Sequence, residues 1–173
     1  MSARGLGLLL AIGALLIGGC DDNGGSGDVT APGEGITRQI AGRWIGKLHQ
    51  KELKPFQVAV DIGSDGNGTV AYTGIECGGE WALDEVHPST PPRYIFTEEI
   101  TEGAGGTCKG TGTVSLLPIQ DHAPNRPAYN RSNYAFTGGG VTSSGLLHRT
   151  DPAHLAPVFR QAGLRPPPVD TSG

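Results

Sequence analysis

The sequence predicts an all-β fold: one antiparallel barrel of about eight short strands, or a flattened version of it, over residues 36–150. Three observations predict it. Apolar residues recur at every second position, most clearly in Phe56, Val58, Val60 and Ile62 with Gln57, Ala59 and Asp61 between them; that is the period of a half-buried strand. Clusters of Gly, Pro, Asn and Asp interrupt the chain at short, regular intervals, as turns do. No stretch within residues 36–150 carries a helical period. Short strands at regular spacing close into a barrel or pack as a sandwich, and about 115 residues supply one core rather than two.

The elements follow in order. Residues 44–49 form the first strand and residues 56–62 the second. Gly63-Ser64-Asp65-Gly66-Asn67-Gly68 is a turn, and residues 69–73 return from it as the third strand, with Val70 and Tyr72 on one face. The remaining strands are expected at residues 81–86, 94–100, 112–117, 133–136 and 145–149. Residues 118–129 contain three prolines and few apolar side chains, which reads as a long exposed loop. Residues 151–173 are a tail. Within it residues 153–162 are suited to one or two helical turns with Leu155, Val158 and Phe159 on one face. Pro166, Pro167 and Pro168 forbid helix beyond that point, and the last eight residues are expected to lack fixed structure.

The barrel is preceded by two segments of different character. Residues 1–19 begin with Arg4, continue through an uncharged apolar stretch over residues 6–17 and end in Leu16-Ile17-Gly18-Gly19, directly before Cys20. A charged start, an apolar centre and small residues before a cut are the anatomy of a secretion signal; the apolar run is shorter than the roughly 20 residues that span a bilayer. Ile17-Gly18-Gly19-Cys20 resembles the bacterial lipobox. The resemblance implies lipid on the Cys20 sulfur, cleavage after Gly19, and a protein of the bacterial cell envelope that meets the membrane through that anchor. Asp21 and Asp22 follow the anchor, and residues 20–35 hold five glycines and no large apolar side chain but Val29. Such a segment is a flexible tether with a reach of roughly 20 Å.

Charge narrows the partners. Without Arg4 the chain carries 12 basic against 17 acidic residues, a net −5. Nucleic acid is excluded as a partner, since no basic stripe supplies phosphate contacts, and attraction to anionic lipid is excluded for the same reason.

With Cys20 assigned to lipid, Cys77 and Cys108 remain. Two cysteines in a small domain of an oxidising compartment pair, and both lie beside glycines, in Cys77-Gly78-Gly79 and Gly105-Gly106-Thr107-Cys108. The rival is a zinc site, which needs about four ligands; only His87 lies near either cysteine in the sequence.

Gly42-Arg43-Trp44 at the start of the domain and Arg149 at its end resemble the calycin pattern of lipocalins and fatty-acid-binding proteins. That resemblance implies a closed barrel end where the Trp44 indole is a plug and the Arg149 guanidinium stacks over it while bonding nearby carbonyls. The Thr-Asp-Tyr motif of lipocalins is absent. Trp44-x-Gly46, Tyr72, Cys77-Gly78-Gly79, Phe96-x-Glu98, Gly103, Cys108 and Gly145-x-Leu147-x-Arg149 also resemble bacterial envelope β-domains of no settled activity.

Glu98 shares its strand face with Tyr94, Phe96 and Ile100. A carboxylate on an apolar face needs a partner; Arg149 or Arg43 would make a structural ion pair, and the functional reading is an acid of raised pKa. Glu98 and Glu99 point to opposite faces, so they cannot serve as a glycosidase pair. Trp81, Tyr94 and Phe96 are either core or the lining of a small apolar cavity. The five histidines show no metal-ligand spacing, no serine sits in Gly-x-Ser-x-Gly, and the glycine runs lack the strand-to-helix setting of a phosphate loop. The expectation is a non-enzymatic envelope lipoprotein without cofactor or metal, binding a small apolar molecule, a glycan or a protein partner. The alternative is a structural or accessory subunit of an envelope complex.

Overall fold

The computed structural model describes residues 37–103, 110–121 and 129–168. Cys20, the expected signal and tether of residues 1–35, and Cys108 lie outside the described residues. The strands are β1 (Gly42–Gln50), β2 (Phe56–Ile62), β3 (Gly68–Thr73), β4 (Cys77–His87), β5 (Arg93–Glu102), β6 (Thr111–Gln120), β7 (Tyr129–Gly138) and β8 (Val141–Arg149). Each pairs antiparallel with the next, and β8 returns to β1 through Trp44 opposite Arg149 to close an eight-stranded barrel. Closure leaves no long unpaired sheet edge.

The period-two pattern sets what faces inward. Phe56, Val58, Val60 and Ile62 of β2 are buried, and so are Tyr94, Phe96 and Glu98 of β5. Trp81, Tyr94 and Phe96 are all 1% exposed or less. Trp81 lies 5.3 Å from Phe96 and 6.1 Å from Tyr134 between ring centroids. These three residues are core, and they do not line the interior pocket described below.

Two elements depart from expectation. The segment beginning at Pro118 is not loop from its start: Pro118, Ile119 and Gln120 extend β6, and Tyr129 opens β7 opposite Gln120. Pairing of β6 with β5 stops at Leu116, so Pro118 lies where only β7 runs beside it. A strand accepts a proline where no ladder bond is required of it. β4 begins at Cys77 rather than Trp81, because Gly79 lets the Glu99 carbonyl approach to 2.1 Å from where a Cβ would stand.

The tail is part of the packing. α1 (Pro152–Gln161) starts with proline in its first turn and buries Leu155, Val158 and Phe159, the face expected from the sequence. These residues cover Ala59 and Ala71, whose side chains lie on the outside of β2 and β3, to form a second small core with Ile45, Ala162 and Leu164. Small outward residues let the helix come close. Gly78 does the same for Leu164, whose Cδ1 stands 2.0 Å from the place of an added Cβ. Burying three large apolar side chains contributes roughly 1.5–3 kcal/mol each. The structureless end expected from Pro166 gives way at its first residues: the Pro168 carbonyl accepts a bond of 2.9 Å from Arg43 Nη2.

Candidate functional site

The two ends of the barrel hold different chemistry. At the end where β1 begins and β8 finishes, residues 39–41 cross the opening and Ile40 is fully buried. Trp44 Nε1 donates to the Ile40 carbonyl at 2.8 Å. Arg149 Cζ stands 4.6 Å from the Trp44 ring centroid. Its Nε, Nη1 and Nη2 donate to the carbonyls of Tyr129, Ala41 and Gln39 at 2.7, 2.7 and 2.6 Å. Burial lowers the Arg149 pKa from its usual value, and the three carbonyls with the indole face provide what water would otherwise supply. Tyr94 belongs to this end; its hydroxyl donates to Gln39 Oε1 at 3.4 Å, and burial, then the neighbouring Tyr129, pushes its pKa up to about 12. This end is sealed.

The opposite mouth is formed by the end of β1, the turn into β2, the β3–β4 turn, the end of β5 and the β7–β8 hairpin. A pocket of about 30 Å³ opens there, lined among others by Phe56, Tyr72, Cys77, Glu98, Tyr134, Phe136 and Ser143. That is space for one small polar group or one or two water molecules. Behind it, buried side chains from all eight strands form one core among the described residues.

Glu98 lies at the inner wall of this pocket and is 3% exposed. Neither Arg149 nor Arg43 is its partner. Arg149 sits at the sealed end, while Arg43 points outward to Asp61 at 3.5 Å. Glu98 lies instead across from Trp81 on β4 and Gly112 on β6. Its Oε2 accepts from the Tyr72 hydroxyl and, at 2.8 Å, from Trp81 Nε1. The Tyr72 and Tyr134 hydroxyls are 3.2 Å apart, and Ser143 lies close enough to Tyr134 to counter part of its upward pKa displacement. Burial raises the Glu98 pKa, against the lowering effect of the bonds from Tyr72 and Trp81. Burial also raises Tyr72 well above the usual phenol value, with the charges of Tyr134 and Glu98 adding to it. Tyr134 is raised for the same first reason, then by the Glu98 charge.

Tyr72, Tyr134 and Ser143 are members of this cluster that sequence reasoning did not assign to a site. Their signal was available: Tyr72 shares a face with Val70, and Tyr134 with Phe136. A buried tyrosine hydroxyl needs a partner, and Glu98 is the inward acceptor. Cys77 is buried at the rim; its proposed partner Cys108 is outside the described residues. No group of three or more His, Cys, Asp or Glu side chains among the described residues is arranged to hold a metal. Comparison with protein-family models, characterised proteins and solved structures gives no match for this chain.

Proposed function

We propose that the chain is a non-enzymatic lipoprotein of the bacterial cell envelope, tethered by lipid on Cys20, that binds its ligand at the open mouth of the barrel. One observation carries the reading. At that mouth, over a core built from all eight strands, a buried carboxyl and two tyrosine hydroxyls meet a small pocket beside apolar side chains. Binding sites take this form: mostly apolar walls with a few convergent polar groups. The ligand therefore inserts a head group and keeps its body outside, unlike the enclosed ligand of a hollow barrel. A Cys77–Cys108 disulfide would staple the connection between β5 and β6 to the start of β4, at the same mouth.

The core built from all eight strands also favours the second reading, an accessory subunit that meets a protein partner. Native mass spectrometry of the chain extracted from membranes in mild detergent separates the two. Small-molecule adducts that a mouth-blocking Ser143→Trp variant loses support the binding module. A stoichiometric protein partner retained by that variant supports the subunit. Labelling with a fatty-acid analogue tests the tether: Cys20→Ala should lose the label, and equal labelling of variant and parent would overturn the anchor.

A further inference from the structure

Glu98 is the buried acidic side chain of the described barrel interior, and none of the described ion pairs includes it. Both of its hydrogen bonds are made by Oε2. No sealed side-chain oxygen or nitrogen among the described residues lacks a partner, so Oε1 is open to the pocket. A buried carboxylate without a countercharge is costly, and what neutralises it here is a proton or a visiting cation.

The surroundings favour the cation. Phe56, Tyr72, Tyr134 and Phe136 line the same pocket, and aromatic rings attract cations through their negative faces. Gln50 and Ser143 add oxygen acceptors at the rim. An ammonium offers three donors and no acceptor, which matches the acceptor oxygens that Glu98, Gln50 and Ser143 bring to the pocket. A primary ammonium is a compact head that can donate to Oε1, whereas a trimethylated one has no N–H to donate. Half-buried Ile75, Ile100 and Val141 stand at the opening, where they would meet an alkyl stem.

We propose that the open mouth binds the primary ammonium group of a small amphiphilic amine, with Glu98 as counter-ion and the aromatic and aliphatic rim holding its apolar stem. This rests on the reading of the mouth as a binding site and names the ligand class for it. A carboxylic acid of the same length would be repelled by Glu98, and an alcohol would gain one hydrogen bond without the charge.

The test is calorimetric titration of the full chain at neutral pH with butylammonium, butan-1-ol and butanoate, three probes of similar size. Butylammonium should bind about tenfold tighter than butan-1-ol, and butanoate should not bind. Glu98→Gln keeps the side-chain shape and the acceptor for Trp81 Nε1; circular dichroism checks that it folds, and it should abolish the preference for butylammonium. Equal binding of butylammonium and butan-1-ol would overturn the cation assignment and leave the mouth a binding site for apolar stems. Tightest binding of butanoate would overturn the assignment by sign. A preference for butylammonium that survives in Glu98→Gln would remove Glu98 as counter-ion. Binding of none of the probes to the parent chain would overturn both the ligand class and the mouth as its site.

Discussion

The two ends of the barrel hold one charged group each, a half-buried arginine and a buried glutamate, and treat it in opposite ways. At the sealed end Arg149 donates to three backbone carbonyls and lies over Trp44. At the open mouth Glu98 takes two bonds on one oxygen and leaves the other toward a pocket. A group whose every nitrogen is bonded to the backbone is part of the scaffold. A buried carboxylate with an open oxygen retains capacity for something outside the fold. The difference teaches that burial alone does not mark a site; the incompleteness of the bonding does.

The sealed end is broken most severely by removing its plug. Trp44 is 0% exposed, and Trp44→Ala should destabilise the domain by about 3–5 kcal/mol, read as a lower urea midpoint. A loss below 1 kcal/mol would mean that residues 39–41 close this end without it. At the open mouth the corresponding covalent restraint is the proposed Cys77–Cys108 bond. Cys77→Ser should cost about 2–5 kcal/mol, and thiol titration of the unfolded, unreduced parent should find neither cysteine free. Two reactive thiols would leave the mouth without its staple and narrow the contrast between the ends.

Arg149→Lys sharpens the comparison at smaller magnitude. Lysine keeps the charge but lacks the planar fork that meets three carbonyls. A loss of about 1–2 kcal/mol is expected from the lost bonds and stacking, with near-unchanged ligand binding at the far mouth. An equal loss of binding would show that the two ends are coupled.

The barrel was legible because period two is a local signal: Phe56, Val58, Val60 and Ile62 declare a strand without reference to anything distant. The Trp44–Arg149 contact was legible only through a family resemblance, since 105 positions separate the pair. The helix was visible in Leu155, Val158 and Phe159, but its docking place was not. Ala59 and Ala71 looked like ordinary outward residues until α1 covered them. Strand β6 ran further than expected because a proline's tolerance depends on whether a neighbour strand is present beside it, which composition does not reveal. The parity of Glu98 placed it inside, yet its partners were misassigned. Charge complementarity pointed to arginine, whereas register brought Trp81 beside it and closure brought Tyr72 and Tyr134. Partners 17 and 26 residues away are set by register and shear, and a single sequence carries little record of either.

The smallest effect concerns the proton on Glu98. Burial raises its pKa above the ordinary glutamate value of 4.5. In the interval between the unfolded and the folded pKa, the native state therefore holds more protons than the unfolded chain. Stability then falls as pH rises. The contribution of Glu98 is fully present below 4.5 and is lost as pH passes upward through the raised folded value. Tyr72 and Tyr134, the titratable neighbours across the cluster, are displaced upward and stay protonated throughout this window. Glu98→Gln removes the titration while keeping an oxygen for Trp81 Nε1. The parent and variant should thus have similar urea midpoints under acidic conditions, and the variant should gain on the parent as pH rises to neutral. Other carboxylates titrate alike in both proteins and cancel in the difference. Saturating butylammonium should reduce that difference by supplying the countercharge, and only in the parent. Parallel pH profiles for parent and variant would show that Glu98 is as well solvated in the fold as in the unfolded chain, and the contrast between the two ends would collapse to one of shape.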